Sequence, residues 1–164
     1  MPRGPVKNPK DCHERALGLL AVRPRSRREL DRRLCAAGFS AQEVADVLVR
    51  LEGVGLIDDR AFAQQLAAHH FDNRKSGSWA VASALAAKGV SRAVSDEVLE
   101  GAALDDEERA FELATSKAVR MYALPPEKAY SRLVGLLARR GYGPGIARSA
   151  ARRALDVGER IDGA

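Results

Sequence analysis

A chain of 164 residues is long enough to bury a hydrophobic core without help from disulfides or metal ions. Aromatic residues make up only 5% of it, and Ala, Leu, Arg and Glu are abundant, a composition that favours helices. The net charge of +5 favours encounter with nucleic acid or with an acidic protein surface. Basic residues outnumber acidic ones by 11 to 8 in residues 1–58 and by 11 to 8 in residues 106–164, whereas the middle is nearly neutral.

Two observations bear on the cellular setting. No apolar stretch is long enough to cross a membrane, and the first ten residues lack the apolar segment of a signal peptide. We therefore expect a cytoplasmic protein with no membrane contact. The two cysteines, Cys12 and Cys35, lie in different helical patterns, which favours packed, reduced thiols over a disulfide or a metal site.

One pattern occurs three times along the chain. A Leu is followed four residues later by Gly and then by a bulky residue at Leu34, Leu85 and Leu137, which are 51 and 52 residues apart. An Arg-Ala dipeptide followed by Leu or Phe precedes each copy, beginning at Arg15, Arg60 and Arg109. Self-similarity at a fixed period of this size is typical of helical repeats that stack to complete their cores.

The first copy shows clear helix boundaries. Ser26 to Glu29 and Ser40 to Glu43 have the spacing of capping boxes, which predicts that a helix begins after each Ser. Gly38 is expected to end the helix that follows Ser26, as a glycine in the left-handed conformation. With the spacing of the apolar residues, these signals predict helices over 11–22, 27–37 and 41–52.

The other two copies follow the same plan. In the second, the pattern predicts helices over 59–74 and 79–88 and a short helix that begins at Ser91. In the third, it predicts a helix from Asp106 to about Met121. Two further helices are expected to begin after Pro125-Pro126 and at Pro144, because Pro suits the first turn of a helix.

The predicted fold class is all-α, with three tandem three-helix repeats stacked into an elongated, curved rod. No run alternates with the period of two that is typical of a strand, so we predict no sheet. The expected boundaries are 1–10 for a disordered segment, 11–58, 59–104 and 105–157 for the repeats, and 158–164 for a frayed C-terminus.

No motif for catalysis, cofactor binding or metal binding is present, so we predict a protein that is not an enzyme. The glycine-rich stretch 141–145 follows a helix instead of a strand, which favours a helix cap over a phosphate cradle. His69 and His70 lack an identifiable partner that would orient a catalytic base. The acidic run 105–108 falls at a predicted helix N-terminus, where negative charge is stabilised.

Basic clusters at related places in all three repeats are the remaining functional signal. Arginine suits contacts with carboxylates and phosphates. The predicted contact residues are Arg25, Arg27, Arg28, Arg32, Arg33, Arg74, Lys75, Lys88, Arg139, Arg140, Arg148 and Arg152. Reading of the major groove by every repeat is disfavoured, because the helices after Ser40 and Ser91 are rich in carboxylates and only the helix after Pro144 is basic.

Four segments together resemble the RecX regulators of recombination. They are Arg23-Pro-Arg-Ser-Arg-Arg-Glu-Leu30, Gly55-Leu-Ile-Asp-Asp-Arg-Ala-Phe-Ala63, Leu85-Ala-Ala-Lys-Gly-Val90 and Arg139-Arg-Gly-Tyr142. Each segment is short, but their order and spacing are specific, and the resemblance spans about residues 11–155.

The resemblance implies a regulator that acts by binding and needs no cofactor. Members of this family are three-repeat helical proteins that bind filaments of the recombinase RecA on single-stranded DNA and inhibit its ATPase, strand-exchange and co-protease activities. By this resemblance, a monomer would bridge RecA protomers or block filament extension, with weak direct contact to DNA.

Two other hypotheses about function remain compatible with the residues. A free-standing, non-specific DNA-binding protein would use the same basic clusters, and its affinity would fall steeply with salt. The other hypothesis is that the protein is a helical scaffold that connects other proteins.

Overall fold

The computed structural model describes the backbone of residues 11–162 and the side chains of residues 11–156. This part of the chain contains nine helices and no strand, which confirms the all-α prediction. The helices are α1 (Cys12–Val22), α2 (Arg27–Ala36), α3 (Ala41–Gly53), α4 (Asp59–Asp72), α5 (Ser78–Ala87), α6 (Arg92–Val98), α7 (Ala102–Ala118), α8 (Pro126–Arg139) and α9 (Pro144–Asp162). The segment 1–10, expected to be disordered, lies outside the described residues, as do the last two residues of the segment expected to fray.

The two predicted serine caps differ in one respect. Ser40 and Glu43 form the complete capping box at the start of α3. At the start of α2 the Ser26 hydroxyl accepts a hydrogen bond from the Glu29 amide over 3.1 Å, as expected. The Glu29 carboxylate, however, binds arginines, so the return half of this predicted box is wrong.

The repeated Leu and Gly form the same helix end in all three copies. Gly38, Gly89 and Gly141 have φ values of 97°, 76° and 87°, in the left-handed region that favours glycine. In each copy the amide five residues after the repeated Leu donates to that leucine's carbonyl, over 3.4, 3.1 and 3.2 Å. This is the bond of a Schellman motif, and it explains why the Leu and Gly occur together.

The start of α7 differs from the prediction. The helix begins at Ala102, directly after Gly101 in a left-handed conformation, and not at Asp106. Ala102, Ala103 and Leu104 are good helix formers, so the helix extends upstream of the acidic run. Asp106 therefore lies in the second turn of α7, where it is buried.

The chain divides into two compact units, each with its own apolar core. Unit 1 comprises residues 1–65 and 85–95, and its core joins α1, α2 and α3 through Leu30, Leu34, Leu48 and their neighbours. Unit 2 comprises residues 66–84 and 96–164, and its core joins α7, α8 and α9. The three helices of the second repeat contribute residues to both units.

Candidate partner-binding surface

A single carboxylate organises the arginines around the start of α2. Glu29 binds Arg23, Arg25 over 2.5 Å and Arg33 over 3.4 Å. Burial of Glu29 acts to raise the pKa of its carboxyl group, but hydrogen bonds from Arg23 and Arg25 outweigh burial and hold that pKa below its ordinary value. Glu29 therefore offsets part of the positive charge of these three arginines within the protein.

Arg25 is a predicted contact residue that the structure assigns to the fold instead. It is 7% exposed, and its Nε donates to the carbonyl of Leu19 over 3.1 Å while its Nη1 pairs with Glu29. A guanidinium held in this way has no surface to offer a partner. The sequence could not show this, because Arg25 stands among arginines that are exposed or half-buried.

Three arginines of α2 border a cleft of about 490 Å³ in unit 1. We call it the mixed cleft, because two carboxylates lie among its lining residues Arg27, Arg28, Asp31, Arg32, Asp59, Gly89 and Ser91. Asp59 accepts from the Arg27 amide over 2.8 Å, and the Arg27 side chain pairs with Glu52 over 2.9 Å. Lys88 is half-buried, and its carbonyl accepts from the hydroxyl of Ser26.

A second cleft, in unit 2, has a purely basic and neutral lining. Its volume is about 510 Å³, and its lining residues are His70, Asn73, Arg74, Ser76, Ala80, Arg139 and Arg140. We call it the arginine cleft. None of these residues is a carboxylate, in contrast to the mixed cleft. An anion that enters would meet three guanidinium groups and no carboxylate among the lining residues.

The arginine cleft is formed where the ends of two helices meet. Arg139 and Arg140 end α8, and Arg74 follows the end of α4, positions at which the helix dipole stabilises cations. The Gly77 amide donates to the Arg140 carbonyl over 2.8 Å, and the Arg140 guanidinium donates to the Arg74 carbonyl. These bonds hold the two segments together although they are far apart in sequence.

Tyr142 and Gly141 also hold the segment that follows α4 against the end of α8. The Tyr142 hydroxyl donates to the carbonyl of Lys75 over 2.9 Å. Burial, reinforced by the charge of Asp106, raises the pKa of Tyr142 to about 12. A Cβ on Gly141 would overlap Ala80, so glycine is required here by close approach as well as by its positive φ.

Two further predicted residues lie on α9. Arg152 is exposed, and its guanidinium lies 5.8 Å from the centre of the Tyr130 ring. Arg152 also borders a third cleft that contains two carboxylates, Glu127 and Asp156. Arg148 is exposed on the same helix. Neither residue lines the arginine cleft.

Sequence reasoning missed a buried polar cluster beside the arginine cleft. Asp106 is 1% exposed and accepts from the Ser78 amide over 3.0 Å and from its hydroxyl over 2.6 Å. It also pairs with Arg109 over 2.7 Å, and the Arg109 guanidinium lies 4.3 Å from the centre of the Phe71 ring. The acidic run was expected to cap its own helix, whereas Asp106 caps the start of α5.

The described residues offer little for catalysis or metal binding. They contain no group of three or more His, Cys, Asp or Glu side chains that could hold a metal ion. The Nδ1 atom of His69 lies 3.0 Å from the side-chain Nδ2 atom of Asn73, and the Nδ1 atom of His70 has no hydrogen-bond partner. Burial, with Arg74 and His69 nearby, lowers the pKa of His70. Cys12 is buried, Cys35 is exposed, and neither forms a disulfide.

None of the described helices is both long enough and apolar enough to cross a membrane.

Comparisons with known proteins identify two three-helix domains in this chain. Residues 12–51 match the sequence model of the first three-helix domain of RecX, and residues 58–99 match that of the second. Regulatory protein RecX of Streptomyces coelicolor is 35% identical over 156 residues, which cover 94% of this chain and 81% of that protein. Regulatory protein RecX of Mycolicibacterium smegmatis is 38% identical over 155 residues, which cover 87% of this chain and 80% of the relative.

Solved structures show the same fold. The crystal structure of RecX from Lactobacillus salivarius superposes with a TM-score of 0.79 and 17% identity, and the match covers 87% of this chain and 94% of that one. Together with the two matching domains and the sequence relatives, this similarity establishes that the chain belongs to the RecX family of regulatory proteins.

Proposed function

We propose that this chain regulates RecA by binding RecA filaments on single-stranded DNA and inhibiting their ATPase, strand-exchange and co-protease activities. Membership of the RecX family supports a regulatory role. The structural observation that carries the proposal is the arginine cleft of unit 2, because a carboxylate-free cluster of three guanidinium groups suits a polyanionic partner. The chain acts by binding, as a monomer in the cytoplasm, and performs no chemistry on its partner.

The proposed contact surface contains eleven of the twelve residues that the sequence predicts. Arg25 is left out because it is buried. The remaining residues are Arg27, Arg28, Arg32, Arg33, Arg74, Lys75, Lys88, Arg139, Arg140, Arg148 and Arg152. Those in the arginine cleft rank first, because the mixed cleft holds its own carboxylates and would attract an anion less strongly.

Two modes of inhibition fit a protein that binds without catalysis. Bridging neighbouring RecA protomers would hinder the movements that accompany ATP turnover. Blocking the growing end would prevent filament extension, so that disassembly prevails. The two modes differ in stoichiometry, since a block at the end acts when the regulator is far scarcer than RecA.

The test is the ATPase rate of RecA assembled on single-stranded DNA while this protein is added from far below equimolar upward. The proposal predicts a progressive fall in rate, at low ratios if filament ends are the target and near equimolar ratios if protomers are bridged. An unchanged rate at an excess of this protein would overturn the proposal.

A free-standing DNA-binding protein is the second candidate function. The same arginine cleft and the net charge of +5 favour it. This alternative predicts tight DNA binding without RecA and an affinity that falls steeply between low and moderate salt. Tight, salt-sensitive DNA binding together with an unchanged RecA ATPase rate would establish it in place of the first.

A further inference from the structure

Trp79 is exposed in a way that the core does not explain. It is the only tryptophan of the chain and is 64% exposed on the first turn of α5. Among the described residues, neither of the two apolar core clusters includes Trp79. An indole combines a large apolar face with a polar N–H and is enriched in binding sites, so Trp79 is a candidate contact for a partner.

The indole lies beside the turn that precedes α9. The Trp79 amide donates to the Gly141 carbonyl over 3.2 Å, which fixes the backbone that carries the ring. A Cβ on Gly143 would lie 3.6 Å from the Cζ2 atom of Trp79, an ordinary van der Waals distance. Gly143 does not have a positive φ, so its lack of a side chain is not required by backbone strain. Because Gly143 has no side chain, this position contributes no side-chain atoms that would cover the Trp79 ring.

The exposed ring and the arginine cleft are close neighbours. Ala80, the next residue of α5, lines the cleft, and so does Arg140, three residues before Gly143. Three residues span at most ~10 Å of extended chain, so the backbones of Arg140 and Gly143 lie close together. Flat aromatic surface next to cations is the combination that single-stranded nucleic acid requires, since bases stack and phosphates need positive charge.

We infer that Trp79 is a stacking platform for a base of single-stranded nucleic acid whose phosphates lie in the arginine cleft. Duplex DNA fits less well, because its bases are already stacked on one another and cannot offer a face to the indole. An acidic protein segment would satisfy the arginines but would leave the face of the indole without a matching group. The inference rests on the proposed function for the source of the strand, which is the DNA of the RecA filament.

The test uses the fluorescence of the full chain, in which Trp79 is the only indole. A single-stranded thymidine homopolymer is titrated into the protein in the absence of RecA. Stacking predicts strong quenching that saturates, whereas an abasic strand of equal length predicts little quenching at the same occupancy. Polyglutamate is titrated in the same way to represent an acidic protein segment. Equal quenching by the two strands, no quenching by either, or a response only to polyglutamate would overturn the stacking platform.

Variants supply an independent readout. Trp79→Ala should weaken binding of a labelled single strand by about ten- to a hundred-fold, the range expected for one stacked base, while Trp79→Phe should retain part of the affinity. Val49→Ala, which removes another exposed apolar side chain, is the matched control and should bind normally. Equal affinity of Trp79→Ala and the control would overturn the inference.

The outcomes separate this inference from the proposed function. Inhibition of RecA by wild-type protein without any quenching by the thymidine strand would overturn the platform alone. Quenching by the strand with an unchanged RecA ATPase rate would support the platform and overturn the proposed function.

Discussion

The buried carboxylate of Asp106 accepts hydrogen bonds from both the backbone amide of Ser78, over 3.0 Å, and the Ser78 hydroxyl, over 2.6 Å. An acid near the start of one repeat thereby caps the middle helix of the preceding repeat. The first junction has the same arrangement, since Asp59 accepts from the amide of Arg27 over 2.8 Å. These caps hold the helix that borders each of the two clefts.

Removal of the Asp106 carboxylate should therefore destabilise the protein strongly. Asp106→Ala leaves the Ser78 amide without its side-chain acceptor and removes the closest carboxylate of the half-buried Arg109, and the expected loss in the free energy of unfolding is about 3 kcal/mol. Denaturation by urea measures it. Asp105→Ala is the control, because that side chain is 74% exposed and should contribute less than about 0.5 kcal/mol. Similar losses in the two variants would contradict this role of Asp106.

Gly141 should tolerate a side chain less well than Gly38, although both have a strongly positive φ. A Cβ on Gly38 meets nothing within 4 Å, so Gly38→Ala tests backbone strain alone and should cost about 1 kcal/mol. Gly141→Ala adds overlap with Ala80 and should cost about 2 kcal/mol more. Unfolding free energies of the two variants give the comparison, and equal values would show that close packing at Gly141 contributes nothing.

Tyr142→Phe removes the hydroxyl that donates to the Lys75 carbonyl, and it should lower the unfolding free energy by about 1 kcal/mol. Because burial raises the pKa of Tyr142 to about 12, the folded state disfavours tyrosinate. The stabilising effect of the Tyr142 hydroxyl is present below the ordinary tyrosine pKa of about 10 and is lost as the pH rises towards 12.

The ultraviolet absorbance of tyrosinate follows this titration. The wild-type protein should show a late step that is missing in Tyr142→Phe, and an identical alkaline titration of both proteins would contradict the assignment.

Glu29 should make stability depend on acid. Its pKa is held below the ordinary value, so its contribution is present above the unfolded-state pKa of about 4.3 and is lost as the pH falls through the folded-state pKa. Glu29→Gln should cost about 1–3 kcal/mol at neutral pH, because three arginines lose their counter-charge. The difference from wild type should shrink in acid. Urea denaturation at both pH values tests this, with the exposed Glu14→Gln as control, and a constant difference would count against it.

Local signals in the sequence predict most helix boundaries, though not the start of α7, and they do not predict the cleft. The caps at Ser26 and Ser40 and the left-handed Gly38 depend on residues within one helical turn, so the sequence predicts them directly. The contacts of Ser78 with Asp106 and of Tyr142 with Lys75 join residues 28 and 67 positions apart, and no local pattern encodes them.

The candidate surface shows the same division. The sequence predicts Arg74, Arg139 and Arg140 one by one, but their meeting in one cleft depends on packing within unit 2. It also includes Arg25, because burial of an arginine by Glu29 and a backbone carbonyl cannot be seen in a run of basic residues. Trp79 was placed on a helix without a function, since exposure of a single aromatic residue has no periodic signature.

The most direct test of the central claim compares RecA inhibition by two charge-reversal variants. Arg74→Glu, Arg139→Glu alters exposed side chains of the arginine cleft, and Arg15→Glu, Arg50→Glu makes the same change in charge on exposed positions outside both clefts. The ATPase rate of RecA on single-stranded DNA is measured against the concentration of each variant, after circular dichroism has shown that both are folded. If the arginine cleft binds the filament, the cleft variant loses inhibition while the control inhibits like wild type. Full inhibition by the cleft variant would contradict it.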